Sequence, residues 1–282
     1  MAMAATLLIV LAAGSLAGLS GCSRGDAAER TARSDLILMD DLATYAPLAR
    51  PAVQFPHDLH TAALARQNQD CSSCHPTRED GRPSRLFMRL ADTSPAQLEE
   101  LYHNHCLDCH TRSRERGEAS GPVACGQCHR RAPAFFSSRL PFGFDKSLHY
   151  RHVKANEKKC ESCHHIYDEA SKKLIYRKDA ESSCRDCHRG RTIENRISLR
   201  EAVHQACIGC HLEAGRRPIA QATGPVDCAG CHDRGRQLSI KTIDNPPRLE
   251  RGQPDFTLLS ASEPDFSASK LNTVPFANLG HE

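Results

Sequence analysis

Fourteen of the fifteen cysteines fall in seven copies of one pattern, two cysteines three positions apart with a histidine directly after the second. The copies are Cys71/Cys74/His75, Cys106/Cys109/His110, Cys125/Cys128/His129, Cys160/Cys163/His164, Cys184/Cys187/His188, Cys207/Cys210/His211 and Cys228/Cys231/His232. Cys-x-x-Cys-His is the c-type haem attachment signature. Each thiol can add across one porphyrin vinyl group, and the adjacent histidine is then held under the ring as the proximal iron ligand. Zinc ribbons pair Cys-x-x-Cys knuckles without needing a histidine in the next position. A disulfide framework does not repeat one spacing seven times. A thioredoxin-like site uses one copy inside a βαβ pattern, which the chain lacks. The expectation is seven covalently bound haem c groups.

The elements that must position these groups are sparse. The chain has 282 residues, 5% aromatic content and no Trp, and its mean hydropathy is negative. Between Cys71 and His232 no apolar periodicity is long enough for an ordinary core. Porphyrin faces would replace the missing apolar side chains. The expected fold is therefore mostly irregular with short α-helices, and unfolded without haem, as small metal-stapled domains are.

The formal charge is +3. Each bis-histidine ferric haem contributes about −1 once its propionates are counted, so seven bring the oxidised protein to about −4 and the reduced one to about −11. Many Lys and Arg residues then neutralise propionates, and no nucleic-acid partner is expected. The nine lysines all follow residue 145, and seven crowd between Lys146 and Lys178, a basic face read chiefly as solvated surface.

Leu7 to Leu19 is an apolar run too short to span a bilayer, and it fits the central region of a secretory signal. It ends in Leu19-Ser20-Gly21-Cys22, which resembles the lipobox of bacterial lipoproteins and explains the odd cysteine: Cys22 is expected to be lipidated. No Lys or Arg precedes the run, which departs from the usual pattern. An uncleaved anchor with an incidental Cys22 is the competing reading, and both export the chain to the periplasmic side of a bacterial membrane.

The chain then repeats itself. Phe55-Pro56-His57-Asp58-Leu59-His60 precedes the first attachment site, as Leu148-His149-Tyr150-Arg151-His152 precedes the fourth. His103 stands three residues before Cys106, and His204 three before Cys207. Gly121-Pro122-Val123 leads into Cys125, and Gly224-Pro225-Val226 into Cys228. Such repetition argues for duplicated modules. Ser94-Pro95-Ala96-Gln97 carries a helix cap, an N-terminal proline and a capping-box glutamine, and Ser198 with Glu201 does likewise. Short helices are expected to carry His103 and His204 into the next site. The expected organisation is a lipoprotein signal over 1–21, a tether over 22–50 in which Leu36-Ile37-Leu38-Met39 offers a short packing contact, modules over 51–131 and 148–236 joined by a connector over 132–147, and an extended tail over 237–282.

The second module resembles the class III tetrahaem c-type cytochromes, with paired histidines before its first site, a second histidine after that site (His164-His165) and one before its third. The resemblance implies that His149 is the distal ligand for the haem on Cys160/Cys163. It gives His165 to Cys184/Cys187, His152 to Cys207/Cys210 and His204 to Cys228/Cys231. The first module resembles the trihaem relatives: Pro76 replaces the second histidine, and one attachment site is missing. The carry-over gives His57 to Cys71/Cys74, His60 to Cys106/Cys109 and His103 to Cys125/Cys128. Of sixteen histidines, His105 and His281 remain unassigned, with His105 competing with His103 as a ligand.

Histidine on both faces of every iron leaves no open position, and such a site exchanges single electrons. The functional expectation is an electron carrier between a membrane oxidoreductase, in a sharper version a quinone-linked complex, and other redox proteins of the periplasm or outer membrane. Two other classes stay open: a reductase of a nitrogen or sulfur oxyanion, which needs one five-coordinate haem, and a subunit of a haem filament.

Overall fold

In a computed structural model the described residues are 31–193, 196–216, 223–249 and 251–260. Strand β1 (Thr31–Arg33) and strand β2 (Leu36–Met39) come first. Then β3 (Val53–Pro56) feeds straight into helix α1 (His57–Arg66). Helix α2 (Pro95–Glu115) and the single turn α3 (Cys125–Cys128) follow. Next come β4 (Phe135–Ser137), β5 (Gly143–Asp145) and helix α4 (Lys146–Ala155). Strands β6 (Ile166–Asp168) and β7 (Lys173–Ile175) precede the turn α5 (Cys184–Cys187) and helix α6 (Leu199–Gly215). The short helices α7 (Cys228–His232) and α8 (Arg234–Leu238) and strand β8 (Phe256–Leu258) complete the series.

Helices α2 and α6 begin where their caps predict. The Ser94 hydroxyl accepts from the Gln97 amide at 3.3 Å, and the Gln97 side chain returns to the Ser94 amide. The Ser198 hydroxyl accepts from the Glu201 amide at 3.2 Å. Neither helix stops at its attachment site, as a short helix would. The motif spacing explains this: Cys106, Cys109 and His110 lie at i, i+3 and i+4 and share one helical face, as do Cys207, Cys210 and His211.

Among the described residues, Leu98 and Leu199 are, prolines aside, the only buried aliphatic or aromatic side chains. Each sits five positions before a histidine, His103 or His204. A chain of this size cannot be held by two leucines. The interior is instead lined by histidine and cysteine, as expected of a fold built around a large apolar cofactor. Sheet structure is limited to two-stranded pairs, β1–β4 parallel and β2–β3, β5–β8 and β6–β7 antiparallel.

Short strands tie down the segments on either side of the modules. The described part of the tether, 31–50, is pinned: Leu36 to Met39 pair with Pro56 to Val53, and Thr31 to Arg33 pair with Phe135 to Ser137. Arg139 donates to the carbonyls of Ser34 and Leu36, both at 2.9 Å. The tail also folds back, because Phe256 to Leu258 pair with Asp145 to Gly143, and the aromatic ring of Phe256 lies over Gly143 where a Cβ would come within 2.1 Å of it. An apolar strand beside an unpaired strand edge satisfies backbone groups that an extended tether or tail would leave to water. The signal segment, Cys22 and His281 lie outside the described residues.

Candidate haem centres

Each of the seven motif histidines faces a second imidazole. The ring centroids are 6.3 Å apart for His57 and His75, 6.2 Å for His60 and His110, and 6.2 Å for His103 and His129. In the second half they are 6.3 Å for His149 and His164, 6.1 Å for His165 and His188, 6.2 Å for His152 and His211, and 6.0 Å for His204 and His232. These are the same fourteen side chains, in the same pairs, that the sequence resemblance implies. Two imidazoles bound through nitrogen at about 2 Å on opposite sides of one ion have ring centres about 6 Å apart. The donor set and its spacing therefore fit a haem iron between each pair.

The rings are oriented from behind. The Nδ1 atoms of His110, His129, His188, His211 and His232 donate to the carbonyls of Pro122, Pro51, Ile197, Pro225 and Leu140 at 2.7–2.8 Å. His164 donates to Ser182 at 3.2 Å. His60 and His152 donate to the carbonyls four residues back on their own helices, Pro56 and Leu148, at 2.9 and 2.8 Å, and His204 to that of Arg200 at 2.5 Å. With Nδ1 holding the proton, Nε2 keeps a free lone pair for a metal. Burial favours the same neutral state: it pushes His204 down to about 4 and lowers His60, His152 and His232. The His75 Nδ1 is buried without a well-placed acceptor, beside the backbone of Ser84 and Leu86.

The two Gly-Pro-Val repeats now have a physical meaning that sequence reasoning noticed but did not supply. A Cβ on Gly121 would come within 2.3 Å of the His110 ring, and one on Gly224 within 2.1 Å of the His211 ring. The glycine lets the imidazole lie against the backbone while the next residue's carbonyl accepts its Nδ1–H. Packed phenylalanines play a matching part on the opposing side. The Phe55 ring centroid is 4.2 Å from that of His60, and Phe144 is 4.9 Å from His152.

None of the fourteen motif cysteines is disulfide-bonded. Thiols of different motifs crowd one another. Burial, and then the neighbouring Cys74 and Cys128, push Cys106 up to about 11. Burial, and then Cys163, Cys231 and Cys184, push Cys207 up to about 12. Thiols of different motifs thus lie near enough to act on one another electrostatically. Among the described residues His105 is paired with no other histidine, and it meets Phe87 edge-on at 6.0 Å.

Comparison with known proteins agrees with this chemistry. The class III cytochrome c family matches twice, over residues 37–129 and 137–232. The high-molecular-weight cytochrome c of Nitratidesulfovibrio vulgaris is 41% identical over 264 residues, covering 89% of this chain and 48% of that protein. The crystal structure of the high-molecular-weight cytochrome c of Desulfovibrio vulgaris (Miyazaki F), obtained in the presence of zinc ion, superposes with a TM-score of 0.75 at 42% identity, covering 83% of this chain and 48% of that one. The sixteen-haem cytochrome of Desulfovibrio gigas superposes with a TM-score of 0.67 at 36% identity, over 79% and 46% of the two chains. The chain thus spans about half the length of the relatives it matches. Class III cytochromes are periplasmic electron carriers, and no helix among the described residues is long and apolar enough to cross a membrane. With both halves matched and the fold shared, the chain belongs to the class III cytochrome c family and is a multihaem c-type cytochrome built of two tandem modules.

Proposed function

We propose that this chain carries seven covalent haem c groups, each iron held between two histidines, and conducts electrons between a membrane oxidoreductase and other redox proteins of the periplasm or outer membrane. The observation that carries the proposal is the set of seven opposed imidazole pairs, all spaced for a six-coordinate iron. His75, His110, His129, His164, His188, His211 and His232 are the proximal ligands. His57, His60, His103, His149, His165, His152 and His204 are the distal ones. A trihaem module over 51–131 and a tetrahaem module over 148–236 follow from this assignment.

When bound, haem supplies reversible one-electron chemistry at iron. The chain does the rest. Its cysteine pairs tether the porphyrins, and its backbone carbonyls fix nine of the fourteen rings by holding the Nδ1 proton. The paired histidines saturate iron, so no substrate binds without displacing a ligand. Histidine on both sides, in place of methionine, keeps the reduction potentials low. A low-potential conductor of this kind suits a quinone-linked complex as donor, with lipid on Cys22 and the C-terminal tail holding the chain to its partners at the membrane.

Two measurements test this reading. Intact mass of the mature protein is expected to give seven haems per chain and an acyl-modified Cys22. The reduced native protein is expected to leave carbon monoxide unbound, with no high-spin ferric signal in the oxidised form. A haem count other than seven, or stoichiometric carbon monoxide binding, overturns it, the latter in favour of a reductase with an open iron.

A further inference from the structure

We propose that electrons cross between the two modules where His57 meets Cys228, and that Asp58 is the positioning residue that builds this junction. The proposal rests on the seven-haem assignment and goes beyond it by naming the route between modules.

His57 opens helix α1 in the first module, and Cys228 opens α7 in the second. They are 171 residues apart in sequence, yet the His57 Nδ1 lies 3.9 Å from the Cys228 Sγ. One is the assigned distal ligand of the first haem, the other an attachment atom of the last. No bridging residue is needed between them.

Asp58 holds the two together. Its Oδ1 accepts from the Cys228 amide at 3.0 Å and its Oδ2 from the Ala229 amide at 2.9 Å. It thus caps the turn that carries Cys228 and Cys231. The same Oδ1 lies 3.5 Å from the His57 Nδ1. Asp58 is itself anchored, because its amide donates to Asp35 Oδ2 at 2.8 Å while Arg33 grips Asp35 through two hydrogen bonds of 2.8 Å. The far side of the last site is built by the connector: His232 donates to the Leu140 carbonyl at 2.7 Å, and Leu140 donates back to the His232 carbonyl at 2.9 Å. The last attachment site is therefore completed by residues outside its own module.

At the junction a single electron moves. One iron passes from ferrous to ferric as the other passes from ferric to ferrous; no bond forms or breaks and no proton moves. The Asp58 side chain is only 18% exposed, so its negative charge is weakly screened at both sites. A carboxylate beside two irons favours their ferric state and lowers both potentials.

The test is a redox titration of the intact holoprotein, followed by the low-spin electron paramagnetic resonance signals, with haem content and attachment peptides determined on the same samples. Asp58→Asn keeps the shape and removes the charge. Two signals are expected to shift to higher potential while the other five stay, and electron redistribution between modules after a reducing pulse is expected to slow at least tenfold. Asp58→Glu, which restores the charge, is expected to bring both signals back towards their native midpoints. If Asp58→Asn fails to assemble, Arg33→Gln decides: it removes the positive end of the chain, and the same two signals are expected to move downwards. Uniform shifts of all signals, or no shift in protein shown to hold seven haems, overturn the junction alone. Absence of haem from the Cys71/Cys74 or Cys228/Cys231 peptide of the native protein overturns the seven-haem assignment, and the junction with it.

Discussion

The two modules place their histidine-bearing helices on the same kind of support but obtain that support from opposite ends of the chain. In the first, β3 leads into α1 and pairs antiparallel with β2, which precedes it. In the second, β5 leads into α4 and pairs antiparallel with β8, which follows the last attachment site. The helices present the same spacing, His57 and His60 against His149 and His152, and in both a phenylalanine from the strand packs on the second histidine. The repeated unit is thus the strand-to-helix element that aims two imidazoles, and its strand partner is interchangeable.

The modules diverge after their first attachment site. His165 follows directly on His164 and faces His188. In the first module Pro76 follows His75, and the chain turns back on itself: Ser84 donates to the Pro76 carbonyl at 2.7 Å and Met88 to that of Cys74 at 2.8 Å. Proline has no imidazole to offer, and the loop occupies the stretch where the second module keeps β6, β7 and another attachment turn. A histidine and the site it would serve are missing together.

The largest effect expected from breaking this comparison is at His165. His165→Ala should open one iron, giving carbon monoxide binding by a single haem per chain and a new high-spin signal, whereas Pro76→Ala should leave carbon monoxide unbound. Gly224→Ala should force the His211 ring from its place and lower stability by about 3 kcal/mol, with Gly121→Ala close behind, read as a fall in the thermal midpoint of the holoprotein. Proline placed opposite the helix-feeding strands should separate the two supports. Thr257→Pro, opposite Phe144, and Ile37→Pro, opposite Phe55, should each cost about 2 kcal/mol and speed hydrogen exchange at the facing strand. The larger loss is expected for Ile37, whose neighbour Asp35 anchors Asp58.

The smallest effect concerns Tyr102, where the second module has Val203. The Tyr102 hydroxyl donates to Asp41, and burial together with that bond pushes the phenol up to about 12. Tyr102→Phe should cost about 1 kcal/mol at neutral pH. The folded-state value lies above the ordinary one near 10, so the native tyrosine's contribution is complete below pH 10 and is lost as pH rises towards 12. Denaturation of both proteins across pH 8–12 should show their difference closing in that window.

Local chemistry was legible in the chain. The seven attachment motifs need only three-residue spacing, and the caps at Ser94 and Ser198 need only the residue three positions on. The Gly-Pro-Val repeats were visible as repeats, but nothing in the linear order says that the glycine makes room for a ring or that a proline carbonyl takes its proton. Asp58 carried no signal for this role: the backbone amides its carboxylate accepts from lie 170 and 171 residues away. Leu36-Ile37-Leu38-Met39 was legible as a packing contact, but such a short apolar stretch discloses its strand only once an unpaired edge is beside it.

By itself, then, the amino-acid order determined where porphyrin can be tethered and which residue types could close each iron, because covalent attachment and helical periodicity act over a few residues. Only the tertiary structure decided which chain end props each helix and how the first site touches the last. Those pairings are set by closing loops of tens to hundreds of residues, and they depend on the whole chain fitting at once.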